Sequence, residues 1–194
     1  MNFASHIEPD ELNTLPLRSF DGEIHLITDA SEATEAVRRL SGAAIVGFDT
    51  ETKPTFKKGN LNPVSLLQLA TREEAFLFRM SRLGYHAGLA ALLSRGRPLK
   101  IGAAIHEDIR ALKALYPNAA NGFIDLQDIV KNYGIENIGV KKMAAIVLGF
   151  RISKSQQLSN WEADMLTQAQ MVYAATDAWV SLEIYLKLIQ NGTP

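Results

Sequence analysis

The sequence predicts an α/β protein in which helices flank a mixed sheet of five strands. Three observations carry that reading. Apolar runs of strand length recur at residues 44–48, 63–71 and 98–103. Two capping boxes, Asp29 with Glu32 and Thr167 with Gln170, open helices near the two ends of the chain. The strands first follow one another closely and then alternate with helices, the order of an α/β sandwich.

The elements follow in turn. Residues 1–20 read as an extended arm, because Pro9 and Pro16 break any helix there. The arm is taken to end at residue 22, and a single domain to run from 23 to 194. Residues 23–28 have strand character, and Asp29 opens a helix that stops at Ser41-Gly42. The central apolar strand ends at Asp49. Residues 63–71 and 74–79 are strands whose short connection favours an antiparallel hairpin. Residues 83–94 read as a helix, 98–103 as a strand, 106–115 as a helix and 122–126 as a strand. The remainder is mostly helical, and the last helix runs from Thr167 to a stop at Asn191-Gly192.

Composition narrows the function. A chain of 194 residues that is 47% hydrophobic can bury a sizeable core. It has no cysteine, so it holds no disulfide or zinc–thiolate site and suits the reducing cytoplasm. No apolar run reaches the roughly 18 residues of a membrane span. The stretch Met1–Asp10 lacks the basic-then-apolar pattern of a signal peptide. A protein that merely coats nucleic acid is usually basic, whereas this one carries a net charge of −1. Contact with a polyanion must therefore come from local patches or from bound metal.

Four acids suggest chemistry. Asp49 and Glu51 close the central strand two residues apart, so both project from one face. Carboxylates that close repel each other unless a cation lies between them, and oxygen ligands suit Mg²⁺ or Mn²⁺. Asp108 sits in the first turn of the helix after the strand at 98–103, where α/β sheets place their sites. Asp177 lies within the last helix, one turn from Tyr173 on the same face, beside the small pair Ala174-Ala175. Each has a plainer reading: a strand end facing water, a carboxylate on a helix N-terminus, a tyrosine–aspartate surface pair. Taken together, they could supply two divalent ions for in-line phosphodiester hydrolysis, with a tyrosine to orient the attacking water.

The segments Val46-Gly-Phe-Asp49-Thr-Glu51, Ile105-His-Glu-Asp108-Ile-Arg-Ala-Leu and Tyr173-Ala-Ala-Thr-Asp177-Ala resemble the three motifs of the DEDD exonuclease superfamily. The tyrosine four residues before the last aspartate is the mark of its DEDDy branch. Within that branch the chain is similar to ribonuclease D and to Werner-syndrome exonuclease domains, from about residue 23 onward. The resemblance implies a ribonuclease H-like fold and removal of nucleotides from the 3′ ends of DNA or RNA with two metal ions, Mg²⁺ or Mn²⁺. It implies that Asp49, Glu51 and Asp177 hold the ion on the nucleophile side. Asp49 and Asp108 hold the second, partly through water, and Tyr173 places the nucleophile.

The resemblance extends to residues on the substrate side. Thr50 and Thr52 flank the carboxylates, Pro54-Thr-Phe56 follows them, and Lys154 and Ser159-Asn-Trp161 precede the last helix. Phe56 would stack on the terminal base, in a loop made basic by Lys53, Lys57 and Lys58. A second basic group comprises Lys141, Lys142, Arg151 and Lys154, which flank the cleft or else form a solvated face. Trp161 reads as a packing anchor. Asp125 and Asp128 read as a strand-end and a helix-start acid without metal roles. Many relatives carry an arginine–proline–leucine stretch after the tryptophan, where this chain has Asp164-Met-Leu166. The alternative function is a catalytically weak, nuclease-like module that binds nucleic acid or protein. An aspartate-nucleophile phosphatase fits less well, since Glu51 stands at the second acid and no downstream lysine pattern follows.

Overall fold

The structure is a computed structural model that describes residues 3–54, 62–119 and 121–192. Phe56, Lys57 and Lys58, expected at the substrate, lie outside the described residues.

The sheet has six strands: β1 (Glu23–Ile27), β2 (Ile45–Thr52), β3 (Val64–Ala70), β4 (Glu74–Arg79), β5 (Leu99–Gly102) and β6 (Phe123–Asp125). Their order is β1-β4-β3-β2-β5-β6. β2, β3 and β4 form an antiparallel meander, while β1 on β4, and β5 and β6 beyond β2, run parallel. Five strands were expected. The segment 23–28, read as having strand character, joins the sheet as its sixth strand, β1, which pairs with β4 along its whole length, from Glu23 opposite Glu74 to Ile27 opposite Phe78.

Helices cover both faces. On one side lie α2 (Ala30–Leu40), α4 (Ala87–Ser94) and α5 (His106–Leu112), packed on Val46, Phe48, Leu67, Leu69, Phe76 and Phe78. On the other lie α6 (Leu126–Lys131), α7 (Val140–Leu148) and the 23-residue α8 (Gln168–Gln190), which crosses the middle of the sheet. Strict alternation along β2 decides which residues serve which layer. Val46 and Phe48 enter the first core, so Gly47, Asp49 and Glu51 face α8.

Both expected capping boxes are present. Asp29 accepts from the Ser31 and Glu32 amides at 2.8 and 2.9 Å. Thr167 accepts from the Gln170 amide at 3.2 Å, while Gln170 accepts from the Thr167 amide at 2.9 Å. Gly192 ends the last helix at φ 81°.

Three local expectations need correction. The arm contains a helix, α1 (Pro9–Thr14), because Pro9 occupies its first position, where the missing N–H is no loss. The helix expected over 83–94 begins only at Ala87, as α4, because Leu83 ends a separate short helix, α3 (Met80–Leu83), and Gly84 turns away at φ 62°. The α5 helix ends at Leu112 and not at 115. The arm is packed down at three points. Ile7, Leu12 and Phe20 are buried, and Phe20 donates its amide to Thr176 Oγ1 at 2.9 Å. Among the described residues no helix is long and apolar enough to cross a membrane.

Candidate active site

A cleft of about 190 Å³ opens where β2 ends against the middle of α8. Asp49, Thr50, Glu51, Lys154, Tyr173 and Asp177 are among the residues that line it. The strand supplies two carboxylates through its period of two. The helix supplies Tyr173 and Asp177 through its period of about four. One carboxylate oxygen from each of Asp49, Glu51 and Asp177 lies within 4.8 Å of the others. That separation suits ligands of a single hard cation better than free acids.

The closeness of strand and helix depends on small residues. A β-carbon at Gly47 would stand 1.9 Å from the Ala178 carbonyl oxygen, so only glycine lets α8 settle at this depth. Ala174 and Ala175, whose size anticipated a close approach, are fully buried.

Asp108 is held differently. Thr50, which faces the opposite side of β2 from its two acidic neighbours, donates its hydroxyl to Asp108 Oδ1. Asp108 thus reaches the strand end from the α5 layer and stays outside the three-acid group, though its charge acts on Asp49.

The electrostatics describe a site short of positive charge. Burial raises Asp49 well above the usual carboxylate range, and the charges of Asp177 and Asp108 raise it further. Glu51 is pushed up to about 9, by burial first and then by the charge of Asp49. Burial raises Asp108 too, against the Thr50 hydrogen bond. Asp177 is raised by burial despite Lys154, whose Nζ lies 2.7 Å from its Oδ2. The other oxygen, Asp177 Oδ1, is buried and has no hydrogen-bond partner among the described residues. A buried acceptor without a donor is costly, and a cation bound among these oxygens would satisfy it. The residues present therefore fit a divalent metal.

Other expectations find definite places. Tyr173 is buried beside Trp161, with ring centroids 5.9 Å apart, and burial with the Asp177 charge raises its phenol. Trp161 is fully buried, in keeping with a packing anchor. Asp125 accepts from the amides of Ala104, Ile105 and Gln127 at 2.9–3.0 Å, and Asp128 pairs with Lys131 on the surface. The second basic group divides. Arg151 turns its Nε to the Leu15 carbonyl at 3.0 Å, while Lys154 enters the cleft. At the missing arginine, Arg79 and Arg82 reach in from elsewhere and donate to the carbonyls of Ala163 and Asp164. Gln157 and Ser181 also line the cleft, and the sequence reading did not include them. Ser181 was within reach, one helical turn after Asp177, and its hydroxyl donates to the Asp177 carbonyl at 3.0 Å. Another group, Glu23, His25 and Glu74, lies at the sheet edge, where the Arg39 guanidinium already neutralises Glu74.

Comparison with known proteins agrees with this architecture. The 3'-5' exonuclease family model matches residues 24–192. The mouse (Mus musculus) bifunctional 3'-5' exonuclease/ATP-dependent helicase WRN is 32% identical over 190 residues, covering 93% of this chain and 14% of that protein. Mouse exonuclease 3'-5' domain-containing protein 2 is 32% identical over 164 residues, covering 78% of this chain and 25% of that protein. The chain thus spans a quarter or less of the length of these two relatives. Among solved structures, the Aedes aegypti Nibbler EXO domain superposes with a TM-score of 0.80 at 26% identity, covering 89% of this chain and 91% of that one. Escherichia coli RNase D shares the fold, with a TM-score of 0.78 at 24% identity over 87% of this chain and 44% of that one. With a family match over nearly its whole length, laid on a sheet and helix that bring three carboxylates together, this chain belongs to the 3'-5' exonuclease family.

Proposed function

We propose that the chain is a metal-dependent 3′–5′ exonuclease that removes nucleoside 5′-monophosphates from the 3′ end of DNA or RNA. The observation that carries this reading is the meeting of Asp49, Glu51 and Asp177 around the unpartnered Asp177 Oδ1. Asp49, Glu51 and Asp177 would hold one Mg²⁺ or Mn²⁺, and Asp49 with Asp108 a second. Such ions lower the pKa of bound water and stabilise charge on both the attacking and leaving oxygens.

The residues of the chain do the rest. Burial and the Asp177 charge keep the Tyr173 phenol protonated, so its hydroxyl orients the attacking water and does not act as a base. Thr50 fixes Asp108 through its hydroxyl. Lys154, which contacts Asp177 and lines the cleft, would meet the non-bridging phosphate oxygens. Water adds to phosphorus and the bond to the 3′ oxygen breaks. That oxygen takes up a proton, which leaves a shortened strand with a 3′-hydroxyl. We place this work in the cytoplasm, since a chain without cysteine suits a reducing compartment.

The test is a gel assay on 5′-labelled single-stranded and recessed-end DNA and RNA with Mg²⁺, Mn²⁺ or chelator. A ladder shortening from the 3′ end, lost with chelator, supports the reading and names the polymer. Binding without cleavage of any substrate would favour the nuclease-like binding module instead.

A further inference from the structure

A cavity of about 510 Å³ adjoins Tyr173 and is lined by none of the four acids. Its size falls within the range of about 300–1,000 Å³ typical of small-molecule sites. Leu17, Arg18 and Ser19 form one wall, and Ser153 and Ser155 another. Val172, with its α8 neighbours, forms the floor. Tyr173 lines both this cavity and the carboxylate cleft, so the two share that side chain as a common boundary.

The first wall is specific to the arm. Residues 17–19 precede residue 24, where the family match begins. The arm is held there by a short parallel bridge. Arg18 donates its amide to the Arg151 carbonyl at 2.9 Å, and Arg151 donates back to Pro16 at 3.0 Å. Buried Phe20 pins the following turn to Thr176. The wall is therefore a fixed part of the fold. Its chemistry is mixed in a telling way. Leu17 is 54% exposed and leaves an apolar surface open on the cavity. Arg18 is also exposed and makes no ion pair among the described residues. An apolar surface beside an unpaired guanidinium and two serine hydroxyls matches a base with its phosphate.

We propose that this cavity is a subsite for the nucleotide immediately 5′ of the scissile phosphate, with Leu17 and Val172 against its base and Arg18 on its phosphate. The proposal rests on the exonuclease reading and adds where the polymer lies. The cleft of about 190 Å³ has room for the scissile phosphate and its surroundings but not for a further nucleotide. The strand must continue beside it, and Tyr173 is where the two spaces meet.

Two probes separate this subsite from the catalytic centre. One is a short single-stranded oligonucleotide, and the other is the p-nitrophenyl ester of thymidine 5′-monophosphate, which has no 5′ neighbour. For Arg18→Ala, KM for the oligonucleotide should rise about tenfold relative to KM for the ester, as expected when a charge-assisted contact is lost. The slope of log(kcat/KM) against log salt should fall by about 0.7, one phosphate contact to a single strand. Arg18→Lys should restore most of the slope. If the two KM values move together, or neither moves, the subsite is wrong while the exonuclease stands. Wild-type protein that cleaves neither probe would remove the exonuclease reading, and the subsite with it.

Discussion

Gly47 and Ala178 meet backbone to backbone: a β-carbon added to the glycine would lie 1.9 Å from the alanine carbonyl oxygen. Asp49 is two residues along the strand and Asp177 is one residue back along the helix, so the contact sets the distance between them. Gly47→Ala must push α8 outward, and overpacking of this kind costs about 3 kcal/mol. Chemical denaturation should show that loss. Cleavage should fall more than stability alone explains, because the proposed metal ligands separate.

Asp49→Ala removes a carboxylate disfavoured by burial and by the charges of Asp177 and Asp108. Cleavage should drop to background. In chelator the variant should melt no lower than wild type, since a desolvated, repelled acid is gone and nothing paired is broken. Retained wild-type turnover would defeat the metal reading outright.

Metal-free protein should become less stable as pH rises. Glu51 ordinarily titrates at 4.5 but is pushed up to about 9 in the fold. Between those values the folded state binds more protons than the unfolded state, so stability falls with pH across that window. Asp49 and Asp177 shift the same way. Thermal melts in chelator should therefore fall from pH 6 toward pH 9. Added Mn²⁺ should raise the melting temperature most at the alkaline end, where no proton competes for the oxygens.

Lys154 neutralises Asp177 at 2.7 Å, where a metal would also bind. Lys154→Met should tighten Mn²⁺ binding about tenfold, roughly 1.4 kcal/mol, by removing that competitor. Calorimetry measures the change. The same variant should raise KM for the nucleic acid, as a phosphate contact is lost.

Tyr173→Phe keeps the ring against Trp161 and removes only the hydroxyl. If that hydroxyl orients the attacking water, kcat should fall about 100-fold with KM little changed. A raised KM with unchanged kcat would make the tyrosine a substrate contact.

What the sequence revealed follows from the range of the interactions involved. Asp49 with Glu51, and Tyr173 with Asp177, are legible because strand and helix periods place them locally. The caps at Asp29 and Thr167 are legible for the same reason. Pairing of Glu23–Ile27 with β4 is not local, and the sheet gained a strand beyond the five expected. Lys154 on Asp177, Thr50 on Asp108 and the arm against Arg151 are likewise contacts between distant segments. Arg79 and Lys100 look like surface charges in the sequence. They are buried because each finds backbone carbonyls: Arg79 that of Ala163, Lys100 those of Leu92 and Arg95.

The proposed catalytic constellation is split between the strand β2 and the helix α8. Asp49 and Glu51 are synthesised long before Asp177 and Tyr173, and neither half alone gathers three carboxylates. During translation the chain carries a growing but incomplete cleft until α8 leaves the ribosome and docks over Gly47. A chain cut before α8 lacks Tyr173 and Asp177 and gathers no three-acid group. The fold thus withholds the proposed hydrolytic site until α8 has docked on β2.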